Sequence, residues 1–149
     1  LNDINKIVRE DYSGMENLVS IRIDGHTDIL PPDPKRLGTR RWITNRELSQ
    51  FRANEFIPII QDIFKESYPD SINKKLTSKI YTTGYGPSKP LANSIKENNN
   101  WFVVIDKTID DPMNKDGLIK LKQPSREIAD SVAHMRNRRV VINILKRGY

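Results

Sequence analysis

The chain has 149 residues, no cysteine and a formal net charge of +6. This length suits one domain with a hydrophobic core of its own, and the absence of cysteine excludes thiolate nucleophiles, disulfides and cysteine-based zinc sites. A basic surface favours polyanions such as nucleic acid, anionic lipid headgroups or an acidic wall polymer, and charge alone does not choose among them.

Two elements are predicted before the first basic loop. Apolar residues recur at helical spacing in residues 1–8, which predicts a short amphipathic helix. Apolar and polar residues alternate in residues 19–24, which is typical of a half-buried strand that runs into Gly25. Residues 29–43 contain three prolines and several basic residues, so they are predicted to form a loop.

A long amphipathic helix is predicted next. Thr44 begins it as the N-cap of a capping box, with Glu47 reaching back to the cap. The helix is expected to run from Asn45 to about Phe64 and to bend near Pro58. Its predicted apolar face consists of Leu48, Phe51, Phe56, Ile59, Ile60 and Ile63.

The second half of the chain is predicted to contain further strands. Residues 80–83 form a short strand that ends at the turn 84–86. Residues 101–105 and 118–121 are expected to pair as a hairpin across the turn-rich segment 110–117.

A helix and a closing strand end the predicted fold. Ser125 is expected to cap a helix that runs through Met135, and residues 140–144 alternate as a final strand. Alternating strands and helices predict an α/β or α+β sandwich with the helices packed on one sheet. The residues of this last helix that are expected to face inward are Ile128, Val132 and Met135.

Catalytic and metal-binding patterns are weak in this sequence. His26 and His134 lie on different predicted elements without a metal-ligand neighbour at helical spacing, so each is expected to be structural. There is no G-x-S-x-G turn, and residues 84–86 lack the third glycine and the following helix that bind phosphate. The sequence therefore predicts neither an enzyme nor a metal or cofactor site.

Four charged residues are candidate binding groups. Asp28 follows the first predicted strand, and loop ends on a rigid sheet often carry binding residues. Arg52 lies on the long helix, where its spacing alone favours a solvated arginine with a buried stem over a binding residue. Arg138 and Arg139 lie between the last helix and the last strand and could be ordinary surface charge.

Four ordered segments carry a family resemblance. They are residues 21–28 (IRIDGHTD), residues 45–53 (NRELSQFRA), residues 84–86 (GYG) with Pro90, and residues 137–142 (NRRVVI). Together they resemble the OmpA-like (OmpA/MotB/Pal) peptidoglycan-associating domain, whose hallmark segments are GHTD, N-x-x-L-S-x-x-R-A, a G-Y-G-type turn and NRRV. Four motifs in the same order make this resemblance specific, and it covers nearly the whole chain.

The resemblance implies one domain over residues 1–149, an α+β sandwich of order β-α-β-α-β-β with helices packed on a mixed sheet. It also implies non-catalytic binding of meso-diaminopimelate in the stem peptide of the cell wall. Asp28 corresponds to the family aspartate that binds the ligand's ammonium, and Arg52 to the arginine that binds its carboxylate. Four further positions correspond to residues that line the same pocket: Asn45, Thr27, Leu48 and Arg138.

The chemistry of this ligand agrees with the two principal residues. The far end of diaminopimelate is an amino-acid zwitterion, so its pocket needs one anion and one cation close together. A planar guanidinium suits a carboxylate because it can bind two oxygens at once. We therefore expect Asp28 and Arg52 to face one partly open pocket across the helix start, or alternatively to pair with each other.

Three features depart from the family pattern. Insertions are expected at about residues 29–44 and 91–124, and the second contains the predicted hairpin. The family's opening strand, which should precede the first helix, is absent from the sequence. Residues 31–41 are expected to form either a basic flap close to the pocket or an idle solvated loop.

The functional expectation is a wall-anchoring module in the periplasm of a Gram-negative-type bacterium. No run of about 18 apolar residues exists, and no signal peptide is visible, so we expect a fragment whose membrane anchor lies upstream. Peptidoglycan is the expected partner, and neither a cofactor nor nucleic acid is expected. A homodimer is possible, because stator-type relatives of the family are dimeric. The alternative is a protein-interaction or scaffold domain that keeps the fold and has lost ligand binding. Nucleic-acid binding rests only on the basic loop and the net charge.

Overall fold

A computed structural model describes residues 18–30 and 44–146 of the chain. The predicted first helix and the predicted basic flap lie outside these residues. The described part is an α+β fold with three α-helices and two three-stranded sheets. Its elements are β1 (Leu18–His26), α1 (Asn45–Ser67), α2 (Asp70–Thr77), β2 (Ile80–Gly84), β3 (Ala92–Glu97), β4 (Asn100–Asp106), a 3₁₀-helix (Lys107–Ile109), β5 (Leu118–Gln123), α3 (Arg126–Asn137) and β6 (Arg139–Lys146).

The first sheet has the strand order β2-β1-β6 and is mixed, because β1 runs parallel to β2 and antiparallel to β6. The strands predicted around residues 19–24, 80–83 and 140–144 are confirmed here. Helix α1 packs against β1 and β2, and the shorter α2 packs against α1. The buried residues of this first core are Leu18, Ile21, Ile23, Ala53, Ile60, Phe64, Tyr68 and Leu76.

Helix α1 begins as the sequence predicts and ends three residues later than expected. The hydroxyl of Thr44 accepts a hydrogen bond from the Glu47 backbone N–H at 3.2 Å, which confirms Thr44 as the N-cap. The predicted apolar face is wrong at Phe51 and Ile59, which are exposed. The buried face is centred on Ala53, and Phe51 lies two residues away, roughly 200° around the helix.

Two glycines allow α1 to lie directly on the first sheet. Gly25 of β1 and Gly84 of β2 are neighbours in the register of the two strands. A Cβ atom on Gly25 would lie 2.0 Å from the Ser49 carbonyl oxygen, and one on Gly84 would lie 2.5 Å from the Gln50 backbone nitrogen. The helix start is therefore fixed against the ends of both strands by backbone contact.

The second sheet has the order β3-β4-β5 and is antiparallel throughout. The predicted pairing of residues 101–105 with residues 118–121 is confirmed by the β4–β5 ladder. Helix α3 packs on this sheet rather than on the first, so the prediction of helices on one sheet is wrong. The core residues are Ala92, Val103, Ile105, Ala129 and Ala133.

The N-cap and the extent of α3 agree with the sequence, but its buried face does not. Ser125 accepts a hydrogen bond from the Ile128 backbone N–H at 3.3 Å. The prediction that Ile128 and Met135 face inward is wrong, since both are exposed, whereas Val132 packs partly buried against the core. Small residues spaced four apart face the sheet instead, because they let the helix approach the strands closely: Ala129 and Ala133.

Candidate functional site

The four segments that carry the family resemblance meet at one end of the first sheet. The backbone N–H of Thr27 donates to the Gly86 carbonyl at 3.0 Å, which joins the end of β1 to the turn after β2. Gly86, whose φ is +57°, donates its N–H to the Ser49 hydroxyl at 2.9 Å. The turn is therefore bonded both to β1 and to the first turns of α1.

Asp28 is the most buried carboxylate of this junction. Its side chain is 7% exposed, and its Oδ2 lies 2.8 Å from Nε of Arg138. Its Oδ1 accepts a hydrogen bond from the Leu30 backbone N–H at 3.0 Å, the local bond that an aspartate makes in a turn. The segment 137–142 thus contacts the segment 21–28 through the ion pair between Arg138 and Asp28.

Asn45 connects the loop around Asp28 to the start of α1. Its Nδ2 donates to the carbonyl oxygen of Asp28 at 3.2 Å and to that of Leu30 at 2.9 Å. These bonds fix the backbone on both sides of the Asp28 carboxylate. Residues 28–30 are thereby held over the N-terminus of α1, where the helix dipole favours negative charge.

Arg52 lies on the same face of α1 as Asn45 and Leu48, since the three residues are spaced by three and four. It lies roughly 10 Å along the helix axis from Asn45. Arg52 and Leu48 are both partly exposed. Within residues 18–30 and 44–146, Arg52 makes no ion pair, so the expected alternative of an Asp28–Arg52 salt bridge is wrong, and Arg138 takes that place.

Thr27 contributes a second buried polar group beside Asp28. The residue is buried, and its Oγ1 has no hydrogen-bond partner in the described structure. A buried hydroxyl without a partner costs free energy, about 1–3 kcal/mol. Such a group is suited to bind a polar ligand atom.

A neighbouring cluster that the sequence did not predict surrounds His26. The imidazole stacks on the Tyr85 ring with centroids 5.2 Å apart, and Lys89 Nζ lies 4.1 Å from the centroid of the same Tyr85 ring. Burial, and then the positive charge of Arg139, lower the pKa of His26 below its usual value. His26 is therefore neutral at pH 7.

Arg139 joins this cluster to the second sheet. Its Nε and Nη2 each donate to a carboxylate oxygen of Asp110 at 2.6 Å, and Nη2 also donates to the Lys89 carbonyl at 3.1 Å. The bidentate geometry is the strongest form of an arginine–carboxylate pair. No sequence motif predicts this pair, because it joins a loop residue to a strand residue 29 positions away.

Beyond this cluster, a cavity of about 690 Å³ opens beside the second sheet. Its lining includes Lys89 and Asp106, together with Leu91, Val104 and Leu118. None of the predicted ligand-binding residues lines it. The cavity is therefore separate from the junction around Asp28.

Two further properties bear on the class of site. In the described part of the chain, no group of three or more histidine, aspartate or glutamate side chains could hold a metal ion. Within the same residues, no helix is both long enough and apolar enough to cross a membrane. Comparison of the chain with protein-family models, with curated proteins and with solved structures found no match in any of the three.

Proposed function

We propose that this chain is a non-catalytic, OmpA-like peptidoglycan-binding domain that anchors an envelope protein to the cell wall. It binds the zwitterionic end of diaminopimelate in the stem peptide. The observation that carries the proposal is the convergence of segments far apart in sequence on one buried residue, Asp28. Asn45 donates a hydrogen bond to the backbone carbonyl of Asp28, and Arg138 pairs with its carboxylate, although the three residues come from three of the four segments that resemble the family.

The order of the elements supports this proposal. The family pattern is β-α-β-α-β-β. The three strands of the first sheet and the helix packed on it follow the order of the last four elements of this pattern: β1, α1, β2 and β6. The second sheet is formed by residues between β2 and α3, where the sequence predicts an insertion. An insertion that folds as a sheet of its own leaves the strand ends around Asp28 in place.

The charges of the junction match an amino-acid zwitterion. Asp28 supplies the anion for the ligand's ammonium. Arg52 has no ion-pair partner in the described residues, so its guanidinium is available for the ligand's carboxylate. The free hydroxyl of Thr27 supplies a further hydrogen bond, while Leu48 lines the helix face between Asn45 and Arg52. The module would then act in the periplasm, attached to a membrane by another segment of the protein.

One observation favours a different function on the same fold. The carboxylate of Asp28 already has Arg138 beside it, and little of its surface is open. A domain of this kind that has lost its ligand would act as a protein-interaction or scaffold domain. The inserted second sheet would then supply its contact surface.

Co-sedimentation with purified sacculi separates the two functions. The wild-type protein is expected to sediment with the sacculi, and Asp28→Ala and Arg52→Ala each to reduce the retained fraction strongly. Matched controls are Asp62→Ala and Lys65→Ala, which remove an exposed acid and an exposed base elsewhere on α1. Wild-type protein that stays in the supernatant would favour the scaffold function and contradict the proposal.

A further inference from the structure

We propose that Arg138 is a displaceable latch that closes the Asp28 site in the free protein. The inference rests on the function proposed above and adds a regulatory step to it. The ligand's ammonium would have to replace the guanidinium of Arg138 beside the carboxylate. Arg138 therefore opposes binding, although it lies in the pocket.

Access to Asp28 is limited by the groups already around its carboxylate. Oδ1 accepts the Leu30 N–H, Oδ2 lies against Arg138 Nε, and the side chain is only 7% exposed. Because so little of the side chain is exposed, the ligand's ammonium would have to displace one of these two groups to reach the carboxylate. The Leu30 bond is part of the backbone turn, so Arg138 is the group that can leave.

Arg138 is held loosely. Its side chain is 40% exposed, and the atom of Arg138 beside Asp28 is Nε, whose N–H donates to the His134 carbonyl at 3.3 Å. Neither of its Nη atoms donates a hydrogen bond to a residue that the structure describes. The fork that makes an arginine–carboxylate pair strong is therefore not used here.

The adjacent arginine provides the contrast. Arg139 binds Asp110 through two nitrogens, donates to two backbone carbonyls, and has a side chain that is only 12% exposed. The backbone at the end of α3 is thus fixed by Arg139, while the side chain of Arg138 remains free to swing into water. A fixed neighbour returns Arg138 to Asp28 when no ligand is bound.

Competition between Arg138 and the ligand's ammonium for Asp28 lowers the affinity of the protein for its ligand. The apparent affinity is reduced by the fraction of molecules in which the site is closed. Removing the guanidinium of Arg138 should therefore tighten ligand binding, whereas removing an ordinary binding contact would weaken it. The direction of the change distinguishes a latch from a contact.

The test is calorimetry with free meso-diaminopimelate on wild type, Arg138→Gln and Arg138→Lys. Arg138→Gln is expected to bind about three- to tenfold more tightly, since the pair that it removes is partly exposed and of limited strength. Arg138→Lys keeps the charge on a shorter side chain, and we expect it to bind between the other two. Arg136→Gln removes an exposed arginine of the same helix and should bind as wild type does.

The outcomes distinguish failure of the latch from failure of the proposed function. Equal or weaker binding by folded Arg138→Gln, while wild type binds, would overturn the latch and leave the proposed function intact. If Arg138→Gln fails to fold in a melting experiment, the affinity of Arg138→Lys relative to wild type decides in the same way. If neither wild type nor any variant binds diaminopimelate, the proposed function fails and the latch with it. Binding by Arg138→Gln alone would support both.

Discussion

His26 is a buried titratable residue whose protonation is coupled to folding. Its pKa is lowered in the folded protein, first by burial and then by the charge of Arg139, from the usual value of 6.5. The unfolded chain therefore binds a proton at a higher pH than the folded chain does. The contribution of His26 to stability is complete above about pH 6.5 and is lost as the pH falls from there to the folded pKa.

Replacing His26 should remove this acid sensitivity. We expect the free energy of unfolding of the wild-type protein to fall between pH 7.5 and pH 5, and that of His26→Phe to fall less, because phenylalanine keeps the stack on Tyr85 without a proton site. Urea denaturation at both pH values measures the difference. Ser131→Ala, an exposed substitution without a titratable group, is the control and should follow the wild-type pH profile. If the free energies of unfolding of wild type and His26→Phe fell equally with pH, His26 would not be the cause of the acid sensitivity.

The sequence predicted only some of the contacts around Asp28. Asp28 and Asn45 could be assigned from their motifs, and the structure brings them into contact. The pairing of Asp28 with Arg138 could not be assigned, since the two are 110 positions apart and the contact depends on how α3 ends. The same sequence pattern at residues 138 and 139 produced one loosely held and one tightly held arginine.

At the scale of the elements, close contact between α1 and the first sheet depends on glycine. Gly25→Ala should destabilise the protein by about 1–3 kcal/mol or more, because its Cβ would overlap the Ser49 carbonyl and the helix would have to move. Chemical denaturation measures the change. The exposed position Ser131 on α3 supplies the control, and Ser131→Ala should change stability by less than about 0.5 kcal/mol. A wild-type-like Gly25→Ala would contradict the packing of α1 on the sheet.

Local patterns predicted most elements and failed where tertiary contacts decide. The capping residues Thr44 and Ser125 marked both helix starts correctly, since a cap is a bond within a few residues. Strand β3 was not predicted, because its alternating residues are mostly polar and its turn at Asn98 and Asn99, both with positive φ, was not recognised as a hairpin. The buried face of α3 was wrong because two alanines, rather than the larger apolar residues, meet the sheet.

For the whole molecule, Asn137 fixes the end of α3 to β3 of the second sheet, and Arg139 connects the first sheet to the second. Asn137 accepts the backbone N–H groups of Leu91 and Ala92 at 2.8 Å each, and its Nδ2 donates to the Ala92 carbonyl at 2.9 Å. Arg139, in the first sheet, binds Asp110 from the loop of the second. The sequence predicted one sheet with a hairpin insertion, because no local signal reports which strands share a sheet.

Removing the carboxylate of Asp110 should weaken this connection. Asp110→Asn leaves the guanidinium of Arg139 half-paired in a mostly buried position, and we expect a loss of about 2 kcal/mol of stability. Denaturant titration gives the value, with Asp116→Asn as the control at an exposed aspartate of the same loop. Equal stability of Asp110→Asn and Asp116→Asn would mean that the ion pair does not hold the sheets together.

Titration calorimetry with meso-diaminopimelate tests whether Asp28 and Arg52 form one zwitterion-binding site. Asp28→Ala removes the partner of the ammonium and Arg52→Ala that of the carboxylate. We predict that each variant, shown to be folded by thermal melting, binds about tenfold more weakly or worse, since a tenfold change corresponds to ~1.4 kcal/mol. Binding by both folded variants with the affinity of the wild type would contradict the claim and place the site elsewhere.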